Sequence, residues 1–227
     1  MRRTFLLLRV LLAVLALGAP LALGACGDDA AGGSGSEAGT VVTGPGVQTG
    51  KPPWKVEEQH LAQRVRMVGA PPPGKEIFHQ HALLHVYVDG ILQPIPRDLA
   101  YQPKRGITSG LHTHEPNGVI HLEAEKPFTA TLGDFFLQWG LRLSKTQLGG
   151  LTDDGDRQVR AYSNGKPIAD PAAHVIKKDD NLVVAYGKEG TFPLKPFTGP
   201  LKDANSGKST CGTKNGKSVG NCMVEPS

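Results

Sequence analysis

A β-rich α+β fold, with antiparallel hairpins forming a sheet and one or two helices packed on it, is the architecture this sequence predicts. Three observations predict it. Residues alternate with period two from Ile77 to Val88. Turn dipeptides punctuate this and later runs at Asp89-Gly90, Asn117-Gly118 and Asn164-Gly165. Helical spacing of apolar residues occurs in only two short stretches.

The first of these opens the domain. Trp54, Leu61, Val65 and Val68 fall on one face of a helix bounded by Pro52-Pro53 before it and by Gly69 and Pro71 after it. His60 sits on its surface. In the strand from Ile77 to Val88, His79, His81, His85 and Tyr87 project from one side with Leu83. Phe78, Ala82, Leu84, Val86 and Val88 project from the other. Asp89-Gly90 turns the chain into Ile91–Ile95, and Pro94 and Pro96 stop it. A second hairpin spans Leu111 to Glu123. Phe128–Thr131 reads as a strand, followed by a short amphipathic helix from Leu132 to Gly140 with Phe135, Phe136 and Trp139 as its bulk. Gln158–Ser163, Lys166–Ile168 and Asn181–Tyr186 add further strands. The segments VYVDGILQPI and AYSNGKPIAD share a strand–turn–strand pattern.

The second hairpin carries the chemistry. Glu115-Pro116-Asn117-Gly118 suits a type I turn, and two registers are open to it. In one, His112 faces His121, so that His112, His114, His121 and Glu123 share a face while Leu111, Thr113, Ile120 and Leu122 form the other. In the alternative, Gly118 is a bulge and both faces mix apolar with polar residues. Burial of one face favours the first. It brings the Cβ atoms of His112 and His121 to ~4.5–5.5 Å, within reach of one ion. His79, His81 and His85 share a strand face by the same period. Six of the eight histidines lie between His79 and His121, and neighbouring hairpins would gather them on one surface.

Imidazoles on a rigid face are ligands for a divalent transition metal, zinc or copper first among them. Met67 and Met223 are the only methionines after the leader, so soft ligands for Cu(I) are scarce. Glu123 or Glu115 would serve as a ligand, as an orienter of a ring N–H, or as a general base.

The ends of the chain suggest where it works. Arg2 and Arg3 precede an apolar run from Phe5 to Leu17, the pattern of a signal peptide over residues 1–25. Leu23-Gly24-Ala25-Cys26 resembles the lipobox of bacterial lipoproteins, which implies lipidation of Cys26 and anchorage at the outer face of the cytoplasmic membrane. Residues 26–53 then read as a flexible tether, 54–198 as one globular domain, and 199–227 as a flexible tail in which Cys211 and Cys222 pair as a disulfide. The chain holds 25 basic and 21 acidic residues; removing Arg2, Arg3 and Arg9 with the leader leaves 22 basic, a near-neutral balance. Such a chain has no electrostatic footprint for nucleic acid.

The core also resembles a group of exported prokaryotic proteins with an HxH…VDG segment, an LHTHxxxGxIHxE segment and a TLGxFFxxWG segment. Here these are His79-Gln80-His81 with Val88-Asp89-Gly90, Leu111–Glu123 and Thr131–Gly140. The resemblance implies that the histidines and the Phe135/Phe136/Trp139 helix belong together, and it implies no activity. The HxH spacing also follows part of the cupin motifs, but here the two motifs overlap, so no cupin roles are carried over.

Three functions follow. The first is a lipid-anchored extracytoplasmic protein that binds a divalent transition metal on a histidine-rich sheet face. The second is a metalloenzyme using that site. The third is a surface protein whose histidine face, without metal, binds a partner or responds to pH.

Overall fold

A computed structural model describes residues 39–75 and 77–191, together with the backbone of two short strands, 212–214 and 217–219. Cys26, Cys211 and Cys222, and with them the expected lipidation and disulfide, lie outside the described residues.

In chain order the elements are α1 (Leu61–Val68), β1 (Phe78–Val88), β2 (Ile91–Gln93), β3 (Tyr101–Gln102), β4 (Ile107–Thr108), β5 (Leu111–His112), β6 (Val119–Ala124), α2 (Leu132–Trp139), β7 (Gln147–Leu148), β8 (Leu151–Thr152), β9 (Gln158–Ser163), β10 (Lys166–Pro167), β11 (Asn181–Gly187), β12 (Gly212–Lys214) and β13 (Lys217–Val219). The fold is β-rich α+β. Its main sheet has the order β10-β9-β11-β1-β6-β5, with β2 also paired to β1.

The longest strand, β1, organises the sheet. Along one edge it pairs antiparallel with β6 over Phe78–Leu83 and then with β2 over Val86–Val88. The Leu84 N–H bonds to the carbonyl of Gly118 where β6 gives way. Gly118 has φ 85°, and an added Cβ there would collide with the Leu84 carbonyl, so the turn needs glycine. Along its other edge, β1 pairs with β11 in parallel, Leu83 opposite Asn181. The sheet is therefore mixed rather than built from antiparallel hairpins alone. The two similar segments are matching tight hairpins: Asp89-Gly90 and Asn164-Gly165 all have positive φ, as a type I′ turn requires.

Period two sorts the sheet. Ala82, Leu84 and Val86 of β1, Ile120 and Leu122 of β6, and Leu182, Val184 and Tyr186 of β11 join one core with Leu61, Leu132, Phe135, Phe136 and Trp139 from the helices. Each large apolar side chain buried there contributes roughly 1.5–3 kcal/mol. The opposite face carries the histidines of β1 and β6, then a smaller apolar patch of Tyr87, Val183 and Ala185 with Tyr162 against it.

Helix α2 spans the residues its periodicity predicts and starts at a capping box. Thr131 Oγ1 accepts from the Asp134 N–H, while the Asp134 carboxylate accepts from the Thr131 N–H. Thr131→Ala is expected to cost about 1 kcal/mol, read as a lower urea midpoint at unchanged slope.

Three expectations are corrected. Phe128–Thr131 is not a strand; among the described residues it contributes a single bridge, Thr131 to Val175. Helix α1 begins at Leu61 rather than Trp54. Glu57 turns the chain before it by accepting the backbone N–H groups of Gln59 and His60, while Trp54 packs into the core with its indole N–H on the Gly50 carbonyl at 2.8 Å. The tether does not extend to residue 53. Val42 is buried, its N–H bonds to the Leu143 carbonyl at 2.9 Å, and the Gln48 N–H bonds to the Gly140 carbonyl at 2.8 Å.

Arg64 holds these parts together from a fully buried position. Its guanidinium pairs with the Glu57 carboxylate and donates to the carbonyls of Glu57, Pro45 (3.0 Å) and Gln138 (3.4 Å), the last at the C-terminal end of α2. Gly140, at φ 73°, leaves room for it: an added Cβ would lie 2.7 Å from the guanidinium carbon.

Candidate metal centre

Sheet register assembles the histidines. His112 of β5 stands opposite His121 of β6, as the segregated register predicts, and His121 stands opposite His81 of β1. One cross-strand row thus reads His81–His121–His112, with directly paired side chains on a common face. Two pairs further along, and so on the same face, His79 stands opposite Glu123. His114 lies beyond the end of β5, yet its ring reaches back to 4.7 Å from that of His121 and 4.6 Å from that of His112.

The ligand-capable atoms fall into two sets. One comprises His112, His114, His121 and Glu123, the other His79, His81, His121 and Glu123; within each, the atoms lie within 4.8 Å of one another. These groups are close enough to hold a metal ion. Separations include 3.1 Å between the Nε2 atoms of His112 and His114, and 3.7 Å from His112 Nε2 to Glu123 Oε2. Glu123 Oε1 lies 2.8 Å from His121 Nδ1 and 2.7 Å from His79 Nε2. Two ligands at ~2.0–2.1 Å from a tetrahedral ion stand ~3.3 Å apart. The cluster brackets that spacing before any adjustment.

The immediate surroundings fix protons as well as positions. The carbonyl of Ser109 can only accept, so the 2.8 Å contact with His112 Nδ1 places a proton there and leaves Nε2 as a bare lone pair. The Nε2–H of His114 then donates to that lone pair. Tyr101 stacks on His112, with ring centroids 4.8 Å apart and planes 23° apart, and meets His114 edge-on at 4.9 Å. His112, His121 and Glu123 are buried; His79, His81 and His114 are partly exposed and form the open side of the cluster.

Burial pushes the His112 imidazole down to about 3, against the opposing pull of the Glu123 charge. Burial likewise lowers His114 and takes His85 down to about 4. For Glu123, burial acts upward, but the hydrogen bond from His121 and the neighbouring imidazoles overcome it and hold the carboxyl at about 2. At neutral pH His112 and His114 are therefore neutral and Glu123 is a carboxylate, the charge states in which these groups bind a divalent metal.

A stability dependence follows. His85 and His112 take up protons more readily unfolded, near 6.5, than folded. Their contribution is complete above pH 6.5 and is lost as pH falls from there toward about 4 and about 3. That of Glu123 is present above 4.5 and lost toward about 2. Metal-free protein is thus expected to have a lower urea midpoint at pH 5 than at pH 7. An equal or higher midpoint at pH 5 would contradict neutral burial of these histidines.

Two candidate ligands stand apart from the cluster. His85 shares the sheet face by parity but pairs with Val183 of β11, because β6 ends opposite Leu83; its ring lies against Tyr87. Glu115 is held by Arg97, with one contact at 2.8 Å, and is absent from both ligand sets. It is a turn residue in an ion pair rather than a ligand or base. Sequence reasoning did not find Tyr101 or the Ser109 carbonyl. An aromatic residue in a two-residue strand and a backbone oxygen leave no motif.

Comparison with protein-family models, curated proteins and solved structures returned no match.

Proposed function

We propose that this protein binds a divalent transition metal, zinc or copper, through His112, His114, His121 and Glu123, and that it does so outside the cytoplasm as a lipid-anchored protein. The observation that carries the metal reading is the convergence of His112 and His114 Nε2, 3.1 Å apart, beside His121 and Glu123, with all but His114 buried. Three imidazoles and one carboxylate make an N3O set of borderline softness, suited to Zn²⁺ or Cu²⁺. The Ser109 carbonyl fixes the His112 tautomer that leaves its metal-binding nitrogen free, a preparation typical of ligating histidines. Support for the location is the Leu23-Gly24-Ala25-Cys26 sequence behind a basic and apolar leader.

The test is elemental analysis of chelator-stripped full chain reloaded with Zn²⁺ or Cu²⁺ and dialysed. Bound metal at one or more ions per chain is expected, with a rise in thermal midpoint because only the folded state presents the site. Less than a tenth of an ion per chain with either metal would overturn the reading. Labelling of the chain by a radioactive fatty acid in a bacterial host, lost on Cys26→Ser, tests the anchor.

A further inference from the structure

We infer that the face holds two metal ions rather than one, bridged by the carboxylate of Glu123; this rests on the metal reading above and goes beyond it. The first ion is the one already placed, with His112 and His114. The second takes His79 and His81.

The sheet geometry argues against one shared ion. His81 and His112 flank His121 on opposite sides, two strand spacings or ~9–10 Å apart at the backbone. The ligand atoms accordingly divide into two sets that have only His121 and Glu123 in common. Each set owns a histidine pair with ring centroids 4.6 Å apart, His79–His81 in one and His112–His114 in the other. The His121 ring sits between them, 4.5 Å from His81 and 4.7 Å from His114.

Glu123 is placed to join the halves. Its Oε1 lies 2.7 Å from His79 Nε2, while Oε2 points to the other side, 3.7 Å from His112 Nε2. A carboxylate with one oxygen toward each of two donor pairs is the arrangement of a bridging ligand, which holds paired ions ~3.5–4 Å apart.

Donor number points the same way. Five imidazole nitrogens and two carboxylate oxygens make seven donors, whereas a tetrahedral ion uses four. Two ions share them as three and four, with His121 completing one and an open position left on the other. Two dications against a single carboxylate also leave an excess of positive charge. The open position therefore suits a small anion, such as hydroxide formed from water by loss of a proton to solvent.

Stripped full chain reloaded with excess Zn²⁺ and dialysed is expected to retain two ions, and the His79→Ala/His81→Ala variant one. Full chain with two equivalents of Cu²⁺ is expected to show a spin-coupled resonance signal, well below two isolated spins in intensity, whereas one equivalent gives an isolated signal. Retention of one ion by the unaltered chain would overturn the paired site and leave the mononuclear reading intact; retention of none would overturn both. Two ions in the double variant, or two uncoupled Cu²⁺ signals in the unaltered chain, would place the second ion elsewhere and equally overturn the pair. Should the variant fail to fold, the copper signal of the unaltered chain decides alone.

Discussion

Replacing His121 with alanine is expected to weaken Zn²⁺ binding by at least about 100-fold, more than any other single histidine replacement. Deleting a residue that merely orients a ligand costs 10–100-fold, and His121 belongs to both ligand sets. It is also the middle member of the His81–His121–His112 row, and without it the outer two stand two strand spacings apart with no imidazole between them. Competition against a chromogenic chelator gives the affinity directly. His85→Ala is the matched control: it removes an imidazole from the same sheet face, four residues beyond His81, and should leave affinity within about twofold because His85 is in neither set. Equal losses in the two variants would mean that the histidine face binds diffusely and that the register is not what selects the ligands.

The second large effect concerns stability. Arg64→Met is expected to destabilise the metal-free protein by about 3 kcal/mol, since it takes the hydrogen-bond donors away from several backbone carbonyls and the partner from the half-buried Glu57 carboxylate. For a domain of this size that lowers the thermal midpoint by roughly 6–12 °C. The loss extends beyond the Glu57 charge, because three carbonyls from separate segments lose their donor together. Arg64→Lys should recover less than half of it: a point charge can face Glu57 but cannot fork toward Pro45, Glu57 and Gln138 at once. Full recovery by lysine would show that charge alone matters. Calorimetry of the three proteins separates the outcomes, and Zn²⁺ affinity should be unchanged where the variants are folded.

What the sequence made legible was local. Alternation in β1 and the split between Leu111, Ile120, Leu122 and the intervening histidines identified the face and the register, because a one-residue slip would turn imidazoles into the apolar core and leucines onto the histidine face. The same alternation placed His85 on the right face without showing how far along β1 its neighbour β6 would run. The parallel partner β11 left no signal, since nothing in the pattern of Asn181–Gly187 names the strand it will lie beside. Arg64 sits in α1 at a position that reads as solvated. Its burial depends on segments 39–53 and 138–140 arriving over it, and single-segment periodicity carries no information about that. Glu115 and Glu123 looked interchangeable as carboxylates near a turn; Arg97, eighteen residues upstream of Glu115, decides between them.

The parallel pairing of β1 with β11 has a kinetic side. Every donor of the metal face belongs to the stretch from His79 to Glu123, whereas the central strand gains its second neighbour only when Asn181–Gly187 arrives. Contacts between positions as distant as 83 and 181 form slowly, because the loop between them must close before it is rewarded. The histidine face thus needs only the pairings of β1, β5 and β6, which are closer in sequence than the pairing along the other edge of β1. An ion captured before β11 pairs would staple β1, β5 and β6 together while the last strand is still searching. Metal supply would then set how quickly the protein matures, as well as how stable it is once formed.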